Sequence, residues 1–214
     1  MSQWLTRRGA RVYTPTLTGL GERAHLLSPS VTLETHISDV LRALEEDALS
    51  DVILVGHSYG GMVVTAVGDR VPERLARLVY LDAIVPRTGQ RLLDCTSTEF
   101  RNRIEEQVRT RGEGWYIPVP APESLGLSQP ADIDWVMPKL VPHPYRTFCD
   151  VLQLHNPDTY KVPRTYINCI GNKPRGGQRS QQSAGIEDYR ELSSGHDAMV
   201  TAPLELAELL IDIG

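Results

Sequence analysis

The stretch Asp51-Val-Ile-Leu-Val-Gly56-His57-Ser58-Tyr59-Gly60-Gly61 decides how this chain is read. An apolar, β-branched run of strand length stops at a glycine. A serine follows between two glycine positions, and Met62-Val-Val-Thr-Ala-Val67 resumes with a helical pattern. G-x-S-x-G set between a strand and a helix is the context of a nucleophile elbow. The residue at the tip of so sharp a turn takes a strained backbone, and side chains two positions to either side would collide with neighbouring backbone. Gly56 and Gly60 are read as the residues that relieve this crowding. The helix that begins here aims its N-terminal amides and positive dipole end at the same point. Ser58 is therefore the candidate nucleophile, and the Tyr59 N–H the candidate donor to an oxyanion formed beside it.

Outward from the elbow, strands and helices alternate. Arg11–Thr14 is expected as a short strand closed by Pro15, after a helix-like segment at Ser2–Ala10. A loop with two glycines, Leu17–His25, leads to a helix whose buried face is Leu33, Ile37, Val40, Leu41 and Leu44. Further strands are expected at Leu75–Asp82, Thr165–Ile170 and Asp188–Leu192. Pro203 opens a last helix with Leu204, Ala207, Leu209, Leu210 and Ile213 as its apolar face. This rhythm predicts an α/β fold, a mostly parallel sheet with helices on both faces. The interval from about Thr88 to Tyr160 breaks it. That interval is rich in proline, holds Trp115 and Trp135, and carries helical patterns at Thr98–Arg109 and around Tyr145–Leu154. It reads as a helical cap (88–160) inserted into a core formed by 1–87 and 161–214. Its two tryptophans would line an apolar substrate pocket, pack the cap onto the core, or do both.

Composition narrows the class. With 214 residues, 41% hydrophobic and 23% charged, the chain can bury one full core. A net charge of −5 disfavours nucleic acid or an anionic membrane as partner. No apolar run approaches the roughly 18 residues that span a bilayer, and the N-terminus has no apolar export signal. Three cysteines, Cys95, Cys149 and Cys169, lack C-x-x-C spacing, which fits reduced thiols and a cytoplasmic location. The six histidines form no pair with metal-ligand spacing, so no metal is expected. Monomer and dimer both stay open.

The second chemical element is Ser193-Ser-Gly195-His196-Asp197-Ala-Met199, directly after the last expected strand. A serine hydroxyl is a weak nucleophile until a base takes its proton, and histidine titrates in the right range. The order Ser then His, with the histidine on a loop after the final strand, makes His196 the candidate general base. His57 is expected to point into sheet or loop packing. His36, His143 and His155 show no partner in the sequence, and His25 is placed near the pocket at most.

With Gly56-His-Ser-Tyr-Gly-Gly61 and Gly195-His-Asp-Ala-Met199 in view, the chain resembles the α/β-hydrolase superfamily. More narrowly it is similar to the bacterial carboxylesterases related to plant methyl esterases and hydroxynitrile lyases. Tyr13–Arg23 and Leu78–Pro86 carry the same likeness. The resemblance implies a cofactor-free serine hydrolase of small, fairly apolar carboxylic esters, working through an acyl-enzyme. Asp197 stands where hydroxynitrile lyases of this family carry lysine, and Ser58 where haloalkane dehalogenases carry aspartate; both count against those chemistries.

Two departures from the family pattern follow. Relatives place the acid that orients the histidine in the loop after the penultimate strand, and here that position is Asn172. Asp82, ending the strand after the nucleophile helix, is the replacement expected, with Asn172 as a neutral second partner and Asp188 and Asp197 less suited by position. The family also precedes the Arg11–Thr14 strand with an apolar strand and a His-Gly loop giving a second oxyanion N–H, so a mis-assigned start or truncated gene is expected. Either the flanking strands then re-pair or an unpaired sheet edge remains. The reading is a serine carboxylesterase; the alternative is an impaired or inactive hydrolase-fold protein that binds a small ligand.

Overall fold

The computed structural model describes residues 1–171 and 185–214. Helix α1 (Ser2–Arg7) is followed by an irregular stretch and a short 3₁₀ segment at Gly21–Leu26. Helix α2 (Leu33–Glu46) starts at a capping box, Thr32 accepting from Thr35 N–H and Thr35 Oγ1 accepting from Thr32 N–H. Strand β1 (Val52–His57), helix α3 (Gly60–Arg70) and strand β2 (Leu75–Leu81) come next. Between β2 and the third long strand lie α4 (Thr98–Arg111), β3 (Tyr116–Ile117), α5 (Pro130–Val136), β4 (His143–Pro144) and α6 (Arg146–Cys149). Strands β5 (Arg164–Cys169) and β6 (Asp188–Leu192), then α7 (Ala198–Thr201) and α8 (Pro203–Ile213), complete the chain.

The main sheet is parallel, in the order β1-β2-β5-β6. Residues along β2 alternate between its faces. Leu78 and Tyr80 pack with Val64 of α3, while Val79 and Leu81 pack with Ile167, Cys169 and the α8 residues Leu206 and Leu210. Helices thus cover both faces, as the alternating pattern predicts. The segment between β2 and β5 shares one apolar cluster with α2 and α3, through Leu92, Leu93, Ile104, Val108, Ile117 and Leu152. Among the described residues no helix is long and apolar enough to cross a membrane.

Four local expectations are corrected. Arg11–Thr14 forms no strand, because no described strand pairs with it. β1 is an edge strand of the described sheet, and Val55 on it is 37% exposed. The helix expected over Tyr145–Leu154 is only the single turn of α6; Asp150 leaves it to accept from Leu33 N–H, and Leu152 pairs with Gln90 across a β-bridge. On α8, Leu204 faces solvent and Leu206 is fully buried in its place, so the core face starts two residues later. The glycine that the elbow's sterics demand, besides Gly56, is Gly61 rather than Gly60. A Cβ on Gly61 would lie 1.8 Å from the Ile84 carbonyl oxygen, whereas at Gly60 it would meet nothing within 4 Å.

Candidate active site

Parallel strands with short connections bring their C-terminal ends to one edge of the sheet, and side chains on those ends can converge. Ser58 follows β1, Asp82 follows β2, and His196 lies on the loop after β6. Both Ser58 (φ +54°) and Asp82 (φ +42°) adopt the left-handed backbone region, which costs non-glycine residues on the order of 1–3 kcal/mol each. Hydrogen bonds hold them there. Ser58 N–H donates to Leu81 O and Asp82 N–H to Ile167 O, while Gly61 and Ile84 N–H both donate to Ser58 O. The strain turns each side chain off its strand toward the same point.

That point is His196. Its Nε2 lies 2.9 Å from Ser58 Oγ and its Nδ1 lies 2.6 Å from Asp82 Oδ2. A carboxylate accepts, so Nδ1 carries the proton and Nε2 presents its lone pair to the serine hydroxyl. The imidazole is buried, with the Asp82 side chain 16% exposed beside it. This tautomer suits a base that takes a proton from Ser58, and the carboxylate would stabilise the imidazolium so formed. Tyr59 caps the start of α3, where N–H groups lack intrahelical acceptors, so its amide is available to a developing oxyanion.

The loop carrying His196 is tightly seated. Asp197 N–H donates to Leu125 O, and a Cβ on Gly195 would come within 2.5 Å of Gly126 O. His57 Nε2 donates to the His196 carbonyl oxygen at 2.9 Å, so the residue beside Ser58 packs onto the His196 loop itself. Ligand atoms of His57, His196 and Asp197 lie within 4.8 Å of one another. Both nitrogens of His196 already face Ser58 and Asp82, however, so a cation there would have to dismantle that arrangement.

Other expected positions fall elsewhere. Trp115 is half-buried, its ring edge against Tyr116 and its N–H toward Glu113; Trp135 is 58% exposed with the Lys139 ammonium over its ring. These contacts are local to 113–139, and the structure does not bring either ring into the Ser58 group. Asn172 lies outside the described residues. Asp188 pairs with Arg190 and receives the Thr165 hydroxyl, on β6.

The sequence reading missed a second cluster, directly behind the elbow. Tyr59 Oη lies 2.8 Å from His36 Nδ1, and His36 Nε2 lies 2.9 Å from Thr18 O. The Tyr59 ring stacks on Phe148 and meets the edge of His143, which bonds Thr147 through Nε2. Burial pushes His36 below the ordinary histidine range and His143 down to about 3, and pushes the Tyr59 phenol up. Next to it, burial would raise Asp39, but hydrogen bonds from Thr18 and Arg23 prevail and hold it low. The signal was available, since His36 shares the inward face of α2 with Leu33, Ile37 and Val40.

Comparison with known proteins places this geometry. The model of the alpha/beta hydrolase family matches residues 1–209. The chain is 38% identical over 226 aligned residues to the carbendazim hydrolyzing esterase of Nocardioides sp. (strain SG-4G), covering 98% of this chain and 90% of that protein. An extracellular alpha/beta-hydrolase from a Paenibacillus species superposes with TM-score 0.85 at 26% identity, over 100% of this chain and 91% of that one. A methylesterase from Arabidopsis shares the fold, with TM-score 0.80 and 22% identity, over 99% of this chain and 90% of that one. The chain belongs to the alpha/beta hydrolase family.

Proposed function

We propose that Ser58, His196 and Asp82 are the catalytic triad of this carboxylesterase-type hydrolase, and that the Tyr59 N–H donates to the oxyanion. The observation that carries the reading is the pair of bonds at one imidazole, 2.9 Å to Ser58 Oγ and 2.6 Å to Asp82 Oδ2. Ser58 Oγ attacks the ester carbonyl carbon while His196 Nε2 takes its proton. Asp82 stabilises the resulting imidazolium, and Tyr59 N–H the tetrahedral oxyanion. Collapse expels the alcohol, protonated by His196, and leaves an acyl-serine. Water, deprotonated by His196, then releases the acid.

The substrates proposed are small, fairly apolar carboxylic esters. Segment 88–160 is read as a cap over the strand ends, supported by the seating of Leu125 and Gly126 on the His196 loop. Trp115 and Trp135 remain candidate pocket walls within it. The test is intact mass after treatment with a fluorophosphonate. One stoichiometric adduct on the wild-type chain, lost in Ser58→Ala, is expected. Folded wild-type protein that takes no adduct overturns the reading.

A further inference from the structure

The nucleophile reading leaves a part-buried polar chain unexplained: Thr18 O, His36, Tyr59 Oη. A carbonyl only accepts, so His36 Nε2 bears the proton that reaches Thr18 O. The ring is neutral in its buried setting, so Nδ1 is a bare acceptor, and the Tyr59 hydroxyl is the donor that meets it. Thr147 keeps its own proton for Pro144 O, and His143 Nε2 can donate to the Thr147 oxygen. Each of these bonds thereby has one donor and one acceptor in a single arrangement. Partly satisfied networks of this kind are costly, so the arrangement is tightly specified.

We propose that His36 is a positioning residue for the oxyanion site, holding Tyr59 by its hydroxyl against the Thr18 loop and so fixing the Tyr59 N–H beside Ser58. The inference rests on the triad reading above. Tyr59 is gripped at both ends. Its backbone follows the left-handed Ser58, a conformation that persists only where the surroundings over-determine it. Its ring is clamped between Phe148 (centroids 5.6 Å apart, nearly parallel) and the edge of His143 (4.8 Å). The hydroxyl bond to His36 is the polar end of that clamp. The far side of His36 is anchored in turn, because Thr18 is held by Asp39 through both its N–H (2.7 Å) and its hydroxyl (3.1 Å). Arg23 bridges Asp39 and Thr16 O, which closes the Thr16–Arg23 loop onto α2. Rocking of the Tyr59 ring would tilt the Ser58–Tyr59 peptide, and an oxyanion donor acts only where its N–H meets the oxygen in the transition state.

The geometry makes a specific claim about kinetics. Loosening Tyr59 removes stabilisation that appears only in the transition state, so kcat falls while KM stays put. Hydrolysis of p-nitrophenyl acetate by wild type, Ser58→Ala, Tyr59→Phe, His36→Leu, the Tyr59→Phe/His36→Leu double variant and His36→Gln decides it. Loss of one whole oxyanion donor costs about 10²–10³ in kcat, and a loosened donor is expected to cost about tenfold. Tyr59→Phe and His36→Leu should each show that fall with KM within about twofold. The double variant should be no slower than the slower single one, because both delete the Tyr59–His36 bond. His36→Gln, whose amide can accept from Tyr59 and donate to Thr18 O, should recover most of the rate. Tyr59→Phe keeps the ring and its packing, so it decides the matter alone if His36→Leu does not fold. Unchanged kcat in Tyr59→Phe, a fall confined to KM, or additive losses in the double variant overturns the proposal. Full activity in Ser58→Ala would instead overturn the triad reading on which it stands.

Discussion

Two imidazoles flank the elbow and perform the same geometric task with opposite consequences. His196 spans a carboxylate and the Ser58 hydroxyl; His36 spans a backbone carbonyl and the Tyr59 hydroxyl. In each, one ring nitrogen donates to a fixed oxygen and the other faces an O–H group. The difference lies in what the fixed oxygen carries. Asp82 brings a negative charge, so a proton gained by His196 from Ser58 meets a counter-ion. Thr18 O brings only a carbonyl dipole, and burial weighs against any charge on His36. In the proposed mechanism His196 changes protonation state during turnover, whereas burial keeps His36 neutral. On that reading the same side chain serves as a base or a strut according to one neighbour.

Exchange of the charged partner tests that contrast most severely. His196→Ala removes the proposed base and should lower kcat by a factor on the order of 10⁶. Asp82→Asn keeps the shape of the carboxylate and removes its charge, and the amide can impose the wrong tautomer on His196. Its expected cost is also large, about 10⁴ in kcat, read by steady-state hydrolysis on protein of unchanged circular dichroism. A fall below about tenfold would take Asp82 out of the triad and remove the basis of the comparison. His36→Leu, with its tenfold effect proposed above, sits well below both.

Sterics offer the next largest effect. Gly61→Ala would set a methyl 1.8 Å from Ile84 O, so the α3 start and the turn after β2 must separate. The expected loss is about 3 kcal/mol or more of unfolding free energy by urea denaturation. Gly60→Ala meets open space and should stay within about 1 kcal/mol of wild type. Equal costs at the two positions would refute this account of the elbow.

The contrast between Gly60 and Gly61 also shows where sequence reading stops. β1, β2 and β5 were legible from apolar, β-branched runs bounded by breakers, whereas β6 alternates half-buried and exposed residues and carries a weaker signal. The G-x-S-x-G spacing announced a turn, but which glycine touches which carbonyl depends on Ile84, more than twenty residues away. The positive φ of Asp82 likewise has no local signal, because it follows from where the turn after β2 must lead. Arg11–Thr14 has strand-like residues, yet a strand needs a partner, and the described chain gives it none. The His36 cluster could be located in part, since a polar residue on an apolar helix face asks for partners. Naming Tyr59 and Thr18 as those partners required the tertiary structure.

The smallest effect is on stability rather than rate. His143, packed against His36 and Tyr59, has its folded-state pKa pushed down to about 3, and His36 is lowered as well. In the unfolded chain both take up a proton near pH 6.5. Below that pH the unfolded state binds protons that the folded state refuses, so stability falls as pH drops, by at most about 1.4 kcal/mol per pH unit for each ring. Carboxylates with depressed values, such as Asp94 held to about 2 by Arg91, begin to add their own loss at about pH 5, as the unfolded carboxyls take up protons. From pH 6.5 to 4.5 His36 and His143 therefore carry most of the change. Thermal midpoints should decline across it in wild type and decline less steeply in His143→Phe, which leaves Thr147 still bonded to Pro144 O. A wild-type profile flat from pH 6.5 to 4.5 would mean that the strut accepts a proton as readily as water allows, and the account of His36 as a ring kept neutral by burial would fail.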